Sequence, residues 1–219
     1  MQIHKLRLAT NCSLTTLADF YTTLLDNIPV EQTDAQLTLQ VGSSLLTFDY
    51  VSTALAMRYH FAINIPANQF DAAKEWIADY APLIQSDSGE DTFHSENWDA
   101  DMLYFYDPAG NILELVARHT LANTSNATFN SRSLLSISEI GIASDDVAAQ
   151  ISDIQARTGA ALYRWSGNAA FAPVGDEQGL FIVLERGRIW FPDTGVAAES
   201  LPVTAVVENN GRTVTLTFF

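Results

Sequence analysis

The chain has 219 residues, of which 47% are hydrophobic, 11% aromatic and 17% charged. That is ample apolar material for a packed core in one or two domains, and it argues against a disordered chain. With 26 acidic residues against 11 basic ones and a formal charge of −15, the chain repels phosphate backbones and anionic lipid surfaces, so neither nucleic acid nor membrane is expected as a partner.

The single cysteine, Cys12, has no internal disulfide partner, which suits a reducing compartment. The opening run MQIHKLRLAT lacks the apolar stretch of a secretory signal, and no segment approaches the roughly 20 apolar residues of a membrane span. The expected location is cytoplasmic.

Residues 3–10 alternate as a half-buried strand does. Residues 13–27 follow as a helix, with Ser13 as N-cap and Leu14, Leu17, Tyr21, Leu24 and Leu25 at three- and four-residue steps. Short strands are expected around Val30, over 37–42 and over 43–51. The order then restarts with a strand at 59–65, a helix at 70–81, and strands at 101–106 and 111–118 joined by the DPAG turn. A third start lies at 134–144, followed by a helix at 146–159 and strands near 161–165, 169–174 and 180–187. Residues 202–208 and 213–219 add two strands around the Asn209–Gly211 turn.

Set together, LRLATNCSLTTLADFY, HFAINIPANQFDAAKEW and EIGIASDDVAAQISDI are one unit written three times. The fold class expected is α+β, made of paired βαβββ modules, because one such module is too small to bury both faces of its sheet. The expected division is residues 1–118 as two paired modules, 119–133 as a polar linker, and 134–219 as a third module with extra strands. The third module must cover its open side with the tail, with the first pair or with another copy of the chain, so a homodimer stays open.

The order of these elements, and above all the run DPAGNILEL, resembles the vicinal oxygen chelate superfamily, which includes glyoxalase I, bleomycin-resistance proteins and extradiol dioxygenases. The resemblance is clear over residues 3–118 and weaker over 135–186. It implies an open, cup-shaped barrel, and a divalent metal (Zn, Mn, Ni or Fe) held from the first and last strands of paired modules. The matching positions are Leu6 and His60 on first strands, and about Thr47 and Glu114 on last strands. Leu6 has no lone pair and Thr47 is a weak ligand, so the ligand patterns of glyoxalase I and of the extradiol dioxygenases are both broken.

His60 and Glu114 are the sharpest candidate pair, with Glu114 as metal ligand or catalytic base and His4 as a third ligand at a displaced depth. Asp49 is displaced from Thr47 in the same way. The alternative is that His60 and Glu114 simply hydrogen-bond each other. Alternation sets Arg58 on the His60 face and Arg118 on the Glu114 face, where they would grip a carboxylate or phosphate, or pair with nearby acids. Tyr104 stands opposite in phase to Phe105, and a cup wall with Tyr104 on it would favour a flat small ligand. His94 is expected in a loop with Glu96, Trp98 and Asp99, as a lid or as a solvated turn. Glu139 is paired in this reading with Val183, so the third module is expected to carry no site. Three classes of function follow: a metal-dependent lyase, isomerase or dioxygenase; a metal-free small-molecule binding protein; and an interaction protein that kept only the fold.

Overall fold

The computed structural model describes residues 1–165 and 167–219. The first module comprises Gln2–Thr10 (β1), Leu14–Leu25 (α1), Glu31–Gln32 (β2), Gln36–Val41 (β3) and Ser44–Tyr50 (β4). Ser13 caps α1 by accepting the Thr16 amide. The second comprises His60–Ile65 (β5), Phe70–Ile77 (α2), Phe93–Ser95 (β6), Ala100–Tyr106 (β7) and Ile112–Arg118 (β8). The third comprises Ser136–Ser144 (β9), Val147–Thr158 (α3), Phe171–Asp176 (β10) and Gly179–Glu185 (β11), and the tail forms Val203–Asn209 (β12) and Arg212–Phe218 (β13). The second helix stops at Ile77 rather than near residue 81, and the chain continues as turns over 78–80 ahead of Pro82. The strand expected over 161–165 is reduced to one bridge, Leu162 with Val174. Among the described residues no helix is long and apolar enough to cross a membrane.

Two sheets result, ordered β13-β12-β1-β4-β3-β2 and β10-β11-β9-β5-β8-β7-β6. The seam between modules is the antiparallel pair β5–β9, so modules two and three share a sheet. This corrects the expected pairing of modules one and two within residues 1–118. Module one pairs instead with the tail, through β1–β12. Each module offers the open edge of its first strand, and any similar first strand satisfies those backbone groups. Sequence repetition reveals the edges but not which edges meet.

One face of each sheet belongs to a common apolar core, with Leu6, Leu8, Leu39 and Phe48 from the first and Phe61, Ile63, Phe105 and Leu115 from the second. A smaller cluster, including Ala62, Met102, Tyr104, Val116 and Trp190, lies on the other face of the second sheet, which is the cup.

The DPAGN run is a structural joint. Gly110 adopts φ 80°, a left-handed conformation that glycine tolerates. Asp107 accepts the amides of Ala109 (2.9 Å) and Asn111 (3.0 Å), the Asn111 side-chain amide (2.8 Å), and the hydroxyl of Tyr21 on α1 (2.8 Å). The Asn111 side-chain Oδ1 accepts the Tyr59 amide at 2.9 Å, just before β5. The turn therefore ties together β5, the β7–β8 connection and the helix of module one.

A β-bulge sets the phase of β9. Ala62 lies opposite Glu139 while Ile63 lies opposite Ile137, which leaves Ser138 as the extra residue. Ile137 and Ile140 both reach the core, and Glu139 faces the cup. The same irregularity occurs in β1, where His4 is the extra residue between Ile3 and Lys5.

Candidate metal and ligand site

The cup floor is a row of residues across four strands. Tyr104 on β7 lies opposite Glu114 on β8, Glu114 beside Ala62 on β5, and Ala62 opposite Glu139 on β9. The small side chain of Ala62 leaves room for the two carboxylates to approach one another above it. His60 stands one cup-facing position earlier on β5, with its Nε2 3.4 Å from Glu114 Oε2. His60, Glu114 and Glu139 present ligand atoms that all lie within 4.8 Å of one another.

Arg118, at the end of β8, closes the far side. Its side chain has no exposed surface and is ion-paired with Glu139, while its Nε donates to Asn64 Oδ1 at 3.2 Å. The guanidinium carbon sits 5.5 Å from the centre of the Trp98 ring, within cation–π reach.

Above this floor is a cavity of about 420 Å³, walled by Trp98, Met102, Tyr104, Phe171, Ile182, Leu184, Trp190 and Phe191, with Arg188 and Asp193 also lining it. The Trp190 and Tyr104 rings lie 5.0 and 6.2 Å from the His60 ring. Trp190 can approach because residue 141 is glycine: a Cβ there would come within 2.2 Å of the indole.

Burial governs the electrostatics. It pulls the His60 imidazole down to about 4, with a backbone contact at Ile112 offsetting only part of the shift. Burial, reinforced by the Glu139 charge, pushes Glu114 well above the usual carboxylate range, against opposing effects of Arg118 and Tyr104. Glu139 is also raised by burial, with Arg118 opposing. At neutral pH His60 is therefore an uncharged imidazole, burial works against the charged form of Glu114, and Glu139 is matched by Arg118. The imidazole keeps an accepting nitrogen, and His60 Nδ1 has no hydrogen-bond partner.

Of the residues singled out in the sequence, His60, Glu114 and Tyr104 line the cavity. His4 does not: it lies in the other sheet and its Nε2 is 3.1 Å from Glu208, because the bulge and the pairing of module one carry it away. Arg58 precedes β5 and borders a separate cavity with Gly141, Asp145 and Glu199. Arg118 faces the cup, where one amino group is paired with Glu139 and its Nη1 is buried without a hydrogen-bond partner. Asp49 is ion-paired with Arg7, and Thr47 hydrogen-bonds Thr38 at 3.0 Å.

The third module, expected to carry no site, contributes Glu139 to the cavity lining. Glu139 lies beside Leu180 as His60 lies beside Ile112. The position equivalent to Glu114 is thus Ile182, not Val183, and it lines the cavity as an apolar side chain. The available signal was the match of Glu139 to His60 in the repeat alignment. His94, expected in a loop, lies on β6.

No protein-family model matches the chain, and no curated protein matches it in sequence. Solved structures do match in fold. A structure described as a candidate dioxygenase from Bacillus subtilis superposes with a TM-score of 0.59 at 15% identity, covering 84% of this chain and 63% of that one. This chain thus spans less than two thirds of the length of that protein. A mutant glyoxalase I from Zea mays superposes with a TM-score of 0.57 at 14% identity, covering 92% of this chain and 73% of that one. The fold shared with these structures is that of the glyoxalase and dioxygenase group, the vicinal oxygen chelate fold.

Proposed function

We propose that this chain, built on the vicinal oxygen chelate fold, is a small-molecule enzyme whose cup holds a divalent cation through His60, Glu114 and Glu139. The observation that carries the reading is the convergence of one neutral imidazole and two carboxylates within 4.8 Å at the base of an aromatic-walled cavity. One nitrogen and two oxygen donors suit Zn, Mn, Ni or Fe, and the apolar Ile182 at the fourth position leaves coordination sites for water or substrate. A cation bound there would supply Lewis acidity toward substrate oxygens.

The chain's own groups define the rest. Burial raises the proton affinity of Glu114 well above that of an ordinary carboxylate, and as a carboxylate it is both ligand and candidate base. Trp98, Trp190 and Phe191 exclude water and favour a flat or apolar substrate. Tyr104 lies against Glu114 and supports the orientation of its carboxylate. A lyase, isomerase or dioxygenase reaction is compatible with this arrangement.

A second reading has its own support. Arg118 already neutralises Glu139, and a proton on Glu114 completes the charge balance without metal, as in a binding protein that only sequesters its ligand. Elemental analysis of untagged protein, grown with Mn, Fe, Ni and Zn all present, separates the two. The enzyme reading expects one equivalent of metal held through the cup and lost in His60→Ala, whatever binds elsewhere on the chain, and proton release when metal is added to the metal-free chain. Metal uptake that is the same in wild type and His60→Ala would leave the binding reading standing alone.

A further inference from the structure

Asp101 lies on β7 beside Met102, which lines the cup. Successive residues of a strand point to opposite faces, so Asp101 looks away from the cavity. There it meets two imidazoles. His94 is its cross-strand neighbour on β6, with Nδ1 2.8 Å from Asp101 Oδ1. His119 follows the end of β8, with Nε2 2.8 Å from Asp101 Oδ2. All three side chains are partly exposed.

We propose that His94, Asp101 and His119 form a second, solvent-facing site for a borderline divalent cation such as Zn²⁺ or Ni²⁺. Their ligand atoms fall within 4.8 Å of one another, on backbone that is already fixed. His94 and Asp101 sit on paired strands, and the His119 amide donates to the Asp99 carbonyl at 2.9 Å. In a tetrahedral zinc site ligand atoms stand roughly 3.3 Å apart. Each 2.8 Å hydrogen bond, one to each Asp101 oxygen, opens by about 0.5 Å to reach that spacing. On binding, each ring offers the nitrogen that now faces Asp101 to the cation and carries its single proton on the other nitrogen, which donates to solvent. Two imidazoles and a carboxylate select Zn²⁺, Ni²⁺ or Cu²⁺ over Mg²⁺ or Ca²⁺. The chain's charge of −15 raises the local concentration of cations. The site fastens the edge strand β6 to the exit of β8, and residue 93 of that strand packs on the cup wall, with the Phe93 ring 5.7 Å from that of Tyr104. None of this depends on metal in the cup.

The test is titration of the full chain with Zn²⁺ by calorimetry, and with Co²⁺ by visible absorption. In a His60→Ala background, which disables the cup set, about one equivalent is expected to bind, and His94→Ala or His119→Ala is expected to weaken it by more than about tenfold with the melting temperature of the metal-free chain unchanged. A His60→Ala chain that binds no metal, or binding indifferent to His119→Ala, overturns the proposal. Should His60→Ala fail to fold, wild type is compared with His94→Ala/His119→Ala. A loss of one equivalent supports the site, and unchanged stoichiometry refutes it.

Discussion

Replacing Arg118 by methionine keeps most of the side-chain volume and removes the charge that matches Glu139. Both groups are buried, Arg118 with no exposed surface and Glu139 with 2%, so solvent cannot take over from the guanidinium. Breaking such a pair from one side typically costs about 3–5 kcal/mol. For a chain of this length that corresponds to a fall in melting temperature of about 6–20 °C. Glu139 can recover part of the loss by taking a proton. In the variant its affinity for that proton rises further above the ordinary carboxylate range, so the folded state binds a proton that the unfolded state has released. Stability then falls as pH rises, and the deficit relative to wild type is expected to be smaller at pH 5 than at pH 8. Urea denaturation at both pH values measures it. The double variant Arg118→Met/Glu139→Gln, which leaves no stranded charge, should regain about 2 kcal/mol or more over the sum of the single effects. A deficit below about 1 kcal/mol, or one that does not change between the two pH values, would refute the buried-pair account.

Two further outcomes follow from the cup. His60 is held near 4 when folded against an ordinary 6.5, so the unfolded chain binds its proton first as pH falls; the stability this group contributes is complete above about 6.5 and lost toward 4, roughly 3 kcal/mol in all. The wild-type-minus-His60→Leu difference in urea midpoint should show that acid limb, and a flat difference between pH 4 and 6.5 would contradict it. Gly141→Ala places a methyl group against the Trp190 indole, where a Cβ would sit 2.2 Å away. A loss of about 1–3 kcal/mol is expected together with a change in tryptophan emission as the ring moves off His60; unchanged emission and stability would show that the ring has room to spare.

Much of this protein was legible in the chain itself. Alternation at residues 3–10 and 134–144, helical steps from Leu14 to Leu25, and the Asp, Pro and Gly of DPAG fix local structure, because these patterns act over a few residues and need no partner. The threefold recurrence of that pattern identified the module, and the phase of β5 and β8 set His60 and Glu114 on cup-facing positions. What the tertiary structure decided was partnership. Three modules and a tail hairpin offer several open strand edges of similar chemistry, and long-range packing selects β5 with β9 and β1 with β12. That choice sends His4 to the other sheet and brings Glu139 beside Glu114. The second decision was phase. One inserted residue, Ser138, turns Glu139 toward the cup while Ile137 and Ile140 both stay in the core. Such a bulge is set by the register of two strands distant in sequence, so no periodicity within β9 alone could reveal it.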